Sequence, residues 1–230
     1  MDELWGLLLL AIITLLPLIS VYLWFRISKF PIKLPWFLLA LLGGAAALFI
    51  AALIQNFLPR SGDNLTKGFF FKLFIEIALT EELGRFMVLL LLFRLRSFFN
   101  KQAPEETTPF LLGPATGILA GLGFAAVETA SYGPANLGII LIRTFTTVPL
   151  HGSCGARDGA AAFLCTRNPF RAMMRFFSAV IIHGIYNFMV VRSGIFSIFA
   201  ILIAVTALVS SIQEIRPLSD KGIPPRGTSF

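Results

Sequence analysis

The chain has 230 residues, of which 57% are apolar and 13% are charged, and its formal net charge is +7. A soluble domain of this size cannot bury so much apolar surface, and the charged fraction is about half the usual ~25%, which excludes a soluble globular enzyme and a disordered chain. The basic residues are scattered between apolar runs without forming an arm or a patch, so we expect no nucleic acid among the partners.

Long apolar runs predict an all-α fold, a polytopic transmembrane helix bundle with about seven spans, since a helix needs roughly 20 apolar residues to cross the hydrocarbon core. The runs are Leu4–Phe25, Pro35–Leu58, Phe69–Leu95, Phe110–Tyr132, Ala135–Cys165, Met173–Val191 and Gly194–Ile212. We expect one transmembrane domain over residues 1–212 and a polar cytoplasmic tail over residues 213–230.

The basic residues of the connections predict the orientation of the chain. One side carries Arg26, Lys29, Lys33, Arg94, Arg96, Lys101, Arg167, Arg171, Arg216, Lys221 and Arg226, and the other side carries Arg60, Lys67 and Arg192. By the positive-inside rule, seven spans then place the N-terminus outside and the C-terminus inside.

The third and fifth runs are too long for simple spans. As a straight helix, Phe69–Leu95 would be roughly 40 Å long, at 1.5 Å per residue. Each run must therefore tilt, bend or project from the bilayer. Pro149 gives the fifth run a place to bend.

Ionisable side chains inside the apolar runs are the strongest indication of function. Each costs roughly 2.5–3.5 kcal/mol in the membrane and persists when it faces a partner or a cavity. The polar residues of this group are Glu81, Glu82, Arg85, Glu128, Arg143, His151, His183 and Asn187. By their depth in the runs, Glu81, His151 and His183 are expected to meet near the middle of the membrane.

Taken singly, these residues have structural explanations. Glu81 and Arg85 lie four apart and could form an ion pair, and an intramembrane histidine can simply hydrogen-bond to a neighbouring helix. Arg157 and Asp158 are expected to pair locally or to reach the inner interface. Taken together, the carboxylates and imidazoles favour water activation, which is the chemistry of a hydrolase.

Four motifs follow one another on successive runs, namely Glu81-Glu82-x-x-Arg85, Phe124-x-x-x-Glu128, an isolated His151 and His183-x-x-x-Asn187. This order resembles the PrsW family of intramembrane proteases, within the larger group of CAAX-prenyl endopeptidases and bacterial CPBP proteins. The resemblance covers Phe69–Val191. It implies a single transmembrane protease domain over residues 1–212 with a catalytic core at about 69–191.

The resemblance also implies roles for individual residues. Glu81 would be the general base, held in place by Glu82 and Arg85. His183 and Asn187 would bind or polarise the water and the scissile carbonyl. Arg85 stands where many PrsW members have lysine.

Three further positions complete the set of expected site residues. Glu128 stands where the CAAX-type relatives carry histidine, which favours PrsW. His151 matches the isolated histidine of the family, so both residues are expected to be catalytic. Arg143, two turns before His151, is expected to support them.

The resemblance implies a membrane-protein substrate in the lipid bilayer of a bacterial or archaeal cell. The well-known activity of the family is site-1 cleavage of a membrane-spanning anti-sigma factor. We expect a glutamate-type mechanism that requires no cofactor. The alternative is a zinc ion held by Glu128, His151 and His183, or by Glu81 with the two histidines.

Two other functions are compatible with buried ionisable residues. An ion- or proton-coupled transporter uses glutamate and histidine to relay protons, although such folds often show internal repeats and this chain shows none. A non-catalytic membrane scaffold is the other alternative. Retention of the Glu81-Glu82 pair and of both histidines disfavours a scaffold.

Overall fold

A computed structural model describes residues 3–28, 32–58, 67–99, 111–133, 136–192 and 194–215. These residues form seven helices and no strand. The helices are α1 (Glu3–Ile27), α2 (Leu34–Phe57), α3 (Lys67–Phe71, Lys72–Leu79 and Thr80–Phe99 in succession), α4 (Leu112–Ala130), α5 (Leu137–Leu164), α6 (Pro169–Arg192) and α7 (Ile195–Ile215). Each predicted run corresponds to one helix, so the predicted all-α bundle is confirmed.

Five of the helices, α1, α2, α4, α6 and α7, are long and apolar enough to cross a membrane. The other two, α3 and α5, carry most of the polar residues of the predicted site. Large apolar side chains such as Leu16, Leu42 and Ile198 are exposed on the outside of the bundle. Such a surface suits contact with lipid tails, which are equally apolar. The chain is therefore an integral membrane protein.

Part of the predicted topology lies outside the described residues. The tail beyond Ile215 and the basic residues Lys29, Arg60 and Lys101 belong to this part. The predicted orientation of the chain therefore stays a prediction.

Helix α4 occupies the centre of the bundle, and every residue from Leu112 to Ala125 is buried. It packs against α2 on one side and α5 on the other. Helix α3 contacts α2, α5 and α6, while α7 packs against α5 and α6, and α1 lies along α4 and α5. The helices that carry the predicted site residues, α3 to α6, therefore meet around the middle of α5.

Glycines bring the backbones of α4 and α5 into direct contact. A Cβ added at Gly117 would lie 1.9 Å from the carbonyl oxygen of Gly155, and one added at Gly121 would lie 2.0 Å from that of His151. Small residues at such positions allow transmembrane helices to approach closely. This approach holds the His151 ring against Phe124 of α4, with 4.9 Å between the ring centroids.

Helix α3 is a π-helix between Lys72 and Leu79 and becomes α-helical at Thr80. At this transition Gln55 of α2 donates to Thr80 Oγ1 over 2.9 Å, and Thr80 Oγ1 donates to the carbonyl oxygen of Glu76 over 2.6 Å. The bond from Gln55 links α2 to α3 one residue before Glu81. The predicted tilt, bend or projection of this run stays a prediction.

Candidate active site

Glu81 and Glu82 begin the α-helical part of α3, and adjacent residues of an α-helix point in directions about 100° apart. Glu81 lines a cavity, whereas Glu82 is completely buried behind it. The two carboxylates are therefore available for different tasks.

Glu82 connects α3 with α6. Its Oε1 lies 2.5 Å from His183 Nδ1, and its Oε2 contacts Arg85 Nη1 one turn further along α3. A carboxylate that accepts a hydrogen bond from one imidazole nitrogen fixes the orientation of the ring. The other nitrogen, His183 Nε2, lies 3.8 Å from Oε2 of Glu81.

Arg85 is fully buried and joins α3 to α4 and α5. Its Nη1 lies 3.3 Å from Oδ2 of Asp158, and its Nη2 lies 3.1 Å from Nδ1 of His151. The guanidinium carbon lies 4.7 Å from the centroid of the Phe124 ring, which is within the range of a cation–π contact. The expected partner of Arg85 was Glu81, but Arg85 bonds to Glu82 and Asp158 instead.

Asp158 is a site residue that the sequence analysis missed. The prediction that it pairs with Arg157 or reaches the inner interface is wrong, because it is completely buried and bonds to Arg85. Arg157 donates instead to Ser211 Oγ of α7, over 3.0 Å. The available signal was spacing, since Asp158 follows His151 by seven residues, about two turns, and shares its helix face.

Glu128 of α4 contacts two residues of α5. Its Oε2 lies 2.9 Å from His151 Nε2, and its Oε1 lies 2.6 Å from Arg143 Nη2. Arg143 also donates to the Tyr132 hydroxyl over 3.3 Å, and its guanidinium carbon lies 4.7 Å from the centroid of that ring. Glu128 therefore finds its cationic partner on the neighbouring helix.

A cavity of about 370 Å³ collects most of the predicted side chains. It is lined by Glu81, Glu128, Arg143, His151, His183 and Asn187. Its remaining wall is largely apolar and includes Ile139, Ile142, Val190 and Ile201 of α5, α6 and α7. A mainly apolar cavity with a few convergent polar groups is the usual form of a binding site.

Glu81, His151 and His183 form the tightest group in the cavity. One donor atom from each lies within 4.8 Å of the other two, and the imidazole centroids are 5.2 Å apart. These three residues therefore meet, as predicted, whereas their depth in the membrane stays a prediction. These three residues are also one of the two predicted sets of zinc ligands. Glu128, which belongs to the other set, contacts both His151 and Arg143.

Comparison with protein-family models matches residues 32–211 to the PrsW family intramembrane metalloprotease. Comparisons with curated proteins and with solved structures gave no match. The matched region covers more than half of the chain and contains every side chain of the site described above. The chain therefore belongs to the PrsW family and is an intramembrane protease.

Proposed function

We propose that this site cleaves a peptide bond of a membrane-spanning protein, with Glu81 as the general base that activates water. The supporting observation is Glu81 Oε2, which is buried, has no hydrogen-bond partner among the described residues and lies 3.8 Å from His183 Nε2. This separation is too long for a hydrogen bond, so Oε2 has no donor in the described part of the chain and is available to accept a proton from the attacking water.

In the proposed reaction, Glu81 takes a proton from the water while the water oxygen attacks the scissile carbonyl carbon. The carbonyl oxygen becomes an oxyanion, and the amide of Asn187, one turn from His183 on the cavity wall, donates to it. The carbon–nitrogen bond then breaks, and the proton on Glu81 passes to the leaving amine. Glu82 keeps the His183 ring oriented throughout.

The proposed substrate class follows from the surroundings of the site. The cavity wall away from the ionisable groups is apolar, and α5, α6 and α7 provide most of it. Such a wall suits the apolar side chains of a transmembrane segment. Given the known activity of the family, a membrane-spanning anti-sigma factor of a bacterial or archaeal cell membrane is the first candidate.

We propose that the site works without a catalytic zinc ion, although Glu81, His151 and His183 lie close enough together to share one. Catalytic zinc takes three protein ligands, and each histidine must offer a lone pair. Both ring nitrogens of His151 already have partners, since Nδ1 lies 3.1 Å from Arg85 and Nε2 lies 2.9 Å from Glu128. Only Glu81 and His183 remain of the group, so we propose hydrolysis by Glu81 alone as the base.

Cleavage of candidate single-span proteins by the purified full-length chain in liposomes tests this proposal. Glu81→Gln keeps the shape of the side chain but cannot accept a proton, so cleavage should fall by about 10²–10⁴-fold. Glu76→Gln is the matched control, because Glu76 lies in the same helix but does not line the cavity. Near-normal cleavage by Glu81→Gln, with Glu76→Gln also active, would remove Glu81 from the mechanism.

A further inference from the structure

The buried guanidinium of Arg85 contacts two side chains of α5 that the proposed reaction leaves without a task. Its Nη2 lies 3.1 Å from His151 Nδ1, and its Nη1 lies 3.3 Å from Asp158 Oδ2. Because His151 and Asp158 lie about two turns apart on one face of α5, a single arginine of α3 reaches both. All three side chains are at most 1% exposed.

The direction of the hydrogen bond to His151 follows from chemistry. A guanidinium has only donors, so His151 Nδ1 must accept. The proton of the neutral ring is then on Nε2, which lies 2.9 Å from the carboxylate oxygen Oε2 of Glu128. With the proton on Nδ1 instead, two donors would face each other and the Glu128 carboxylate would face a lone pair.

We propose that Arg85, held by Asp158 and Glu82, is a positioning residue that fixes His151 in the tautomer protonated on Nε2. The planar guanidinium suits this task, because its separate nitrogens can contact a carboxylate and an imidazole at once, whereas a lysine ammonium is a single point charge. Asp158 contributes by fixing Nη1 from the helix that carries His151. His151 consequently donates its Nε2–H to Glu128 at the cavity wall.

The consequence for catalysis rests on the proposed function. Nδ1 of His183 lies 2.5 Å from the carboxylate of Glu82 and donates to it, so Nε2 of the neutral His183 ring offers a lone pair toward Glu81. The two histidines thus carry their protons on opposite nitrogens. His183 accepts a hydrogen bond from the attacking water, and His151 is a donor in the same cavity.

Nitrogen NMR of the full-length chain in lipid nanodiscs measures both tautomers directly. The sequence contains only two histidines, so ¹⁵N-histidine labelling gives signals from two rings, and the His183→Gln variant assigns them. We expect the wild-type His151 ring to be unprotonated on Nδ1 and protonated on Nε2. A wild-type His151 ring protonated on Nδ1 overturns the proposal, whatever the variants show.

Matched arginine variants identify the residue that sets the tautomer. Arg85→Gln removes the obligatory donor, so His151 should populate the form protonated on Nδ1. Arg143→Gln is the control, because it removes a guanidinium from the opposite side of Glu128 and leaves the Arg85 contact in place. An unchanged tautomer in Arg85→Gln, or an equal change in both variants, contradicts the assignment to Arg85.

Asp158→Asn tests the proposed contribution of Asp158, the other side chain of α5 that Arg85 contacts. We expect the Nδ1 signal of His151 to shift toward the protonated form and kcat to fall by about 10–100-fold, with KM unchanged, as for other residues that orient a functional histidine. A wild-type spectrum together with wild-type kcat in Asp158→Asn would remove Asp158 from the proposal.

Added zinc provides an independent test on the wild-type chain. One equivalent of zinc should leave both nitrogen signals of His151 unshifted, and a zinc-dependent shift of its Nε2 signal overturns the proposal. The spectra are recorded without substrate. A failure of the protease proposal would therefore leave the tautomer result standing, and a wrong tautomer would leave cleavage by Glu81 to be judged on its own assay.

Discussion

At the scale of single residues, Glu81 differs from the other carboxylates of the site. Glu82 and Asp158 bond to Arg85, and Glu128 bonds to Arg143, whereas Glu81 has no arginine partner among the described residues. A carboxylate without an arginine partner is costly in a membrane, and this cost supports the proposed task of Glu81 as the base. The paired carboxylates instead orient the two imidazoles.

Asn187 is the residue-scale test of the oxyanion site. Asn187→Ala removes the amide from the cavity wall, and loss of one oxyanion donor typically lowers kcat by about 10²–10³-fold. We expect that loss with little change in KM, measured by cleavage kinetics in liposomes. Ser197→Ala, which alters another polar residue lining the cavity, should stay within a few-fold of wild type. A larger effect on KM than on kcat in Asn187→Ala would assign the amide to substrate binding.

The residue types of the site could be predicted from the sequence, but their pairing could not. Charged side chains inside apolar runs are visible in one dimension, and their cost in lipid indicates that they cluster. Arg85 shows the limit, because the spacing of four favoured Glu81 as its partner. Its actual contacts include Asp158, 73 residues away, and depend on how α3 is rotated against α5.

At the scale of elements, the backbone contact between α4 and α5 fixes the position of His151. Gly121 of α4 has no room for a side chain, since an added Cβ would lie 2.0 Å from the carbonyl oxygen of His151 itself. The facing residue Gly152 is different, because its Cβ would meet only Leu208 at 3.5 Å and Leu122 at 3.7 Å. Alanine substitutions at these two neighbouring glycines are therefore expected to have different effects.

Gly121→Ala should push α5 away from α4 and displace His151. Overpacking typically costs about 1–3 kcal/mol, and a displacement of about 1 Å in a catalytic site can cost 10²-fold in rate. We expect a lower melting temperature in detergent and a cleavage rate reduced by about that factor. Gly152→Ala should leave both quantities near wild type. Equal behaviour of the two variants would contradict the close contact at Gly121.

Helix boundaries could be predicted to within a few residues, but the π-helix of α3 could not. Apolar length indicates a helix and its approximate ends. The π-helical segment Lys72–Leu79 has no comparable signal in the sequence, and it ends beside Thr80, which accepts a hydrogen bond from Gln55 of α2. Phe74 of this segment also fills the space beside Gly184, where a Cβ would lie 2.3 Å from its ring.

At the scale of the whole molecule, the chain is a bundle with α4 at its centre and the polar residues of α3 and α5 buried beside it. The five most apolar helices were readily predicted, and α3 and α5 were predicted as long, unusual runs. Their polar residues are buried at the centre of the bundle, which lowers the cost of placing them in a membrane.

The orientation of the bundle is a separate prediction. The alternating basic connections place the N-terminus outside and the C-terminus inside. A reporter fused after Phe230 should therefore be active in the cytoplasm, and one inserted at residue 62 should be active outside. Cytoplasmic activity at both points would show that the number of spans between them is even.

Activity and metal content measured together on the same chelator-treated protein test the central claim, which is hydrolysis by Glu81-activated water without a metal. The wild-type chain, purified with a strong chelator and returned to liposomes, should cleave its substrate at the untreated rate with far less than one zinc per chain. Loss of cleavage on chelation, with recovery when one equivalent of zinc is restored, would contradict the account.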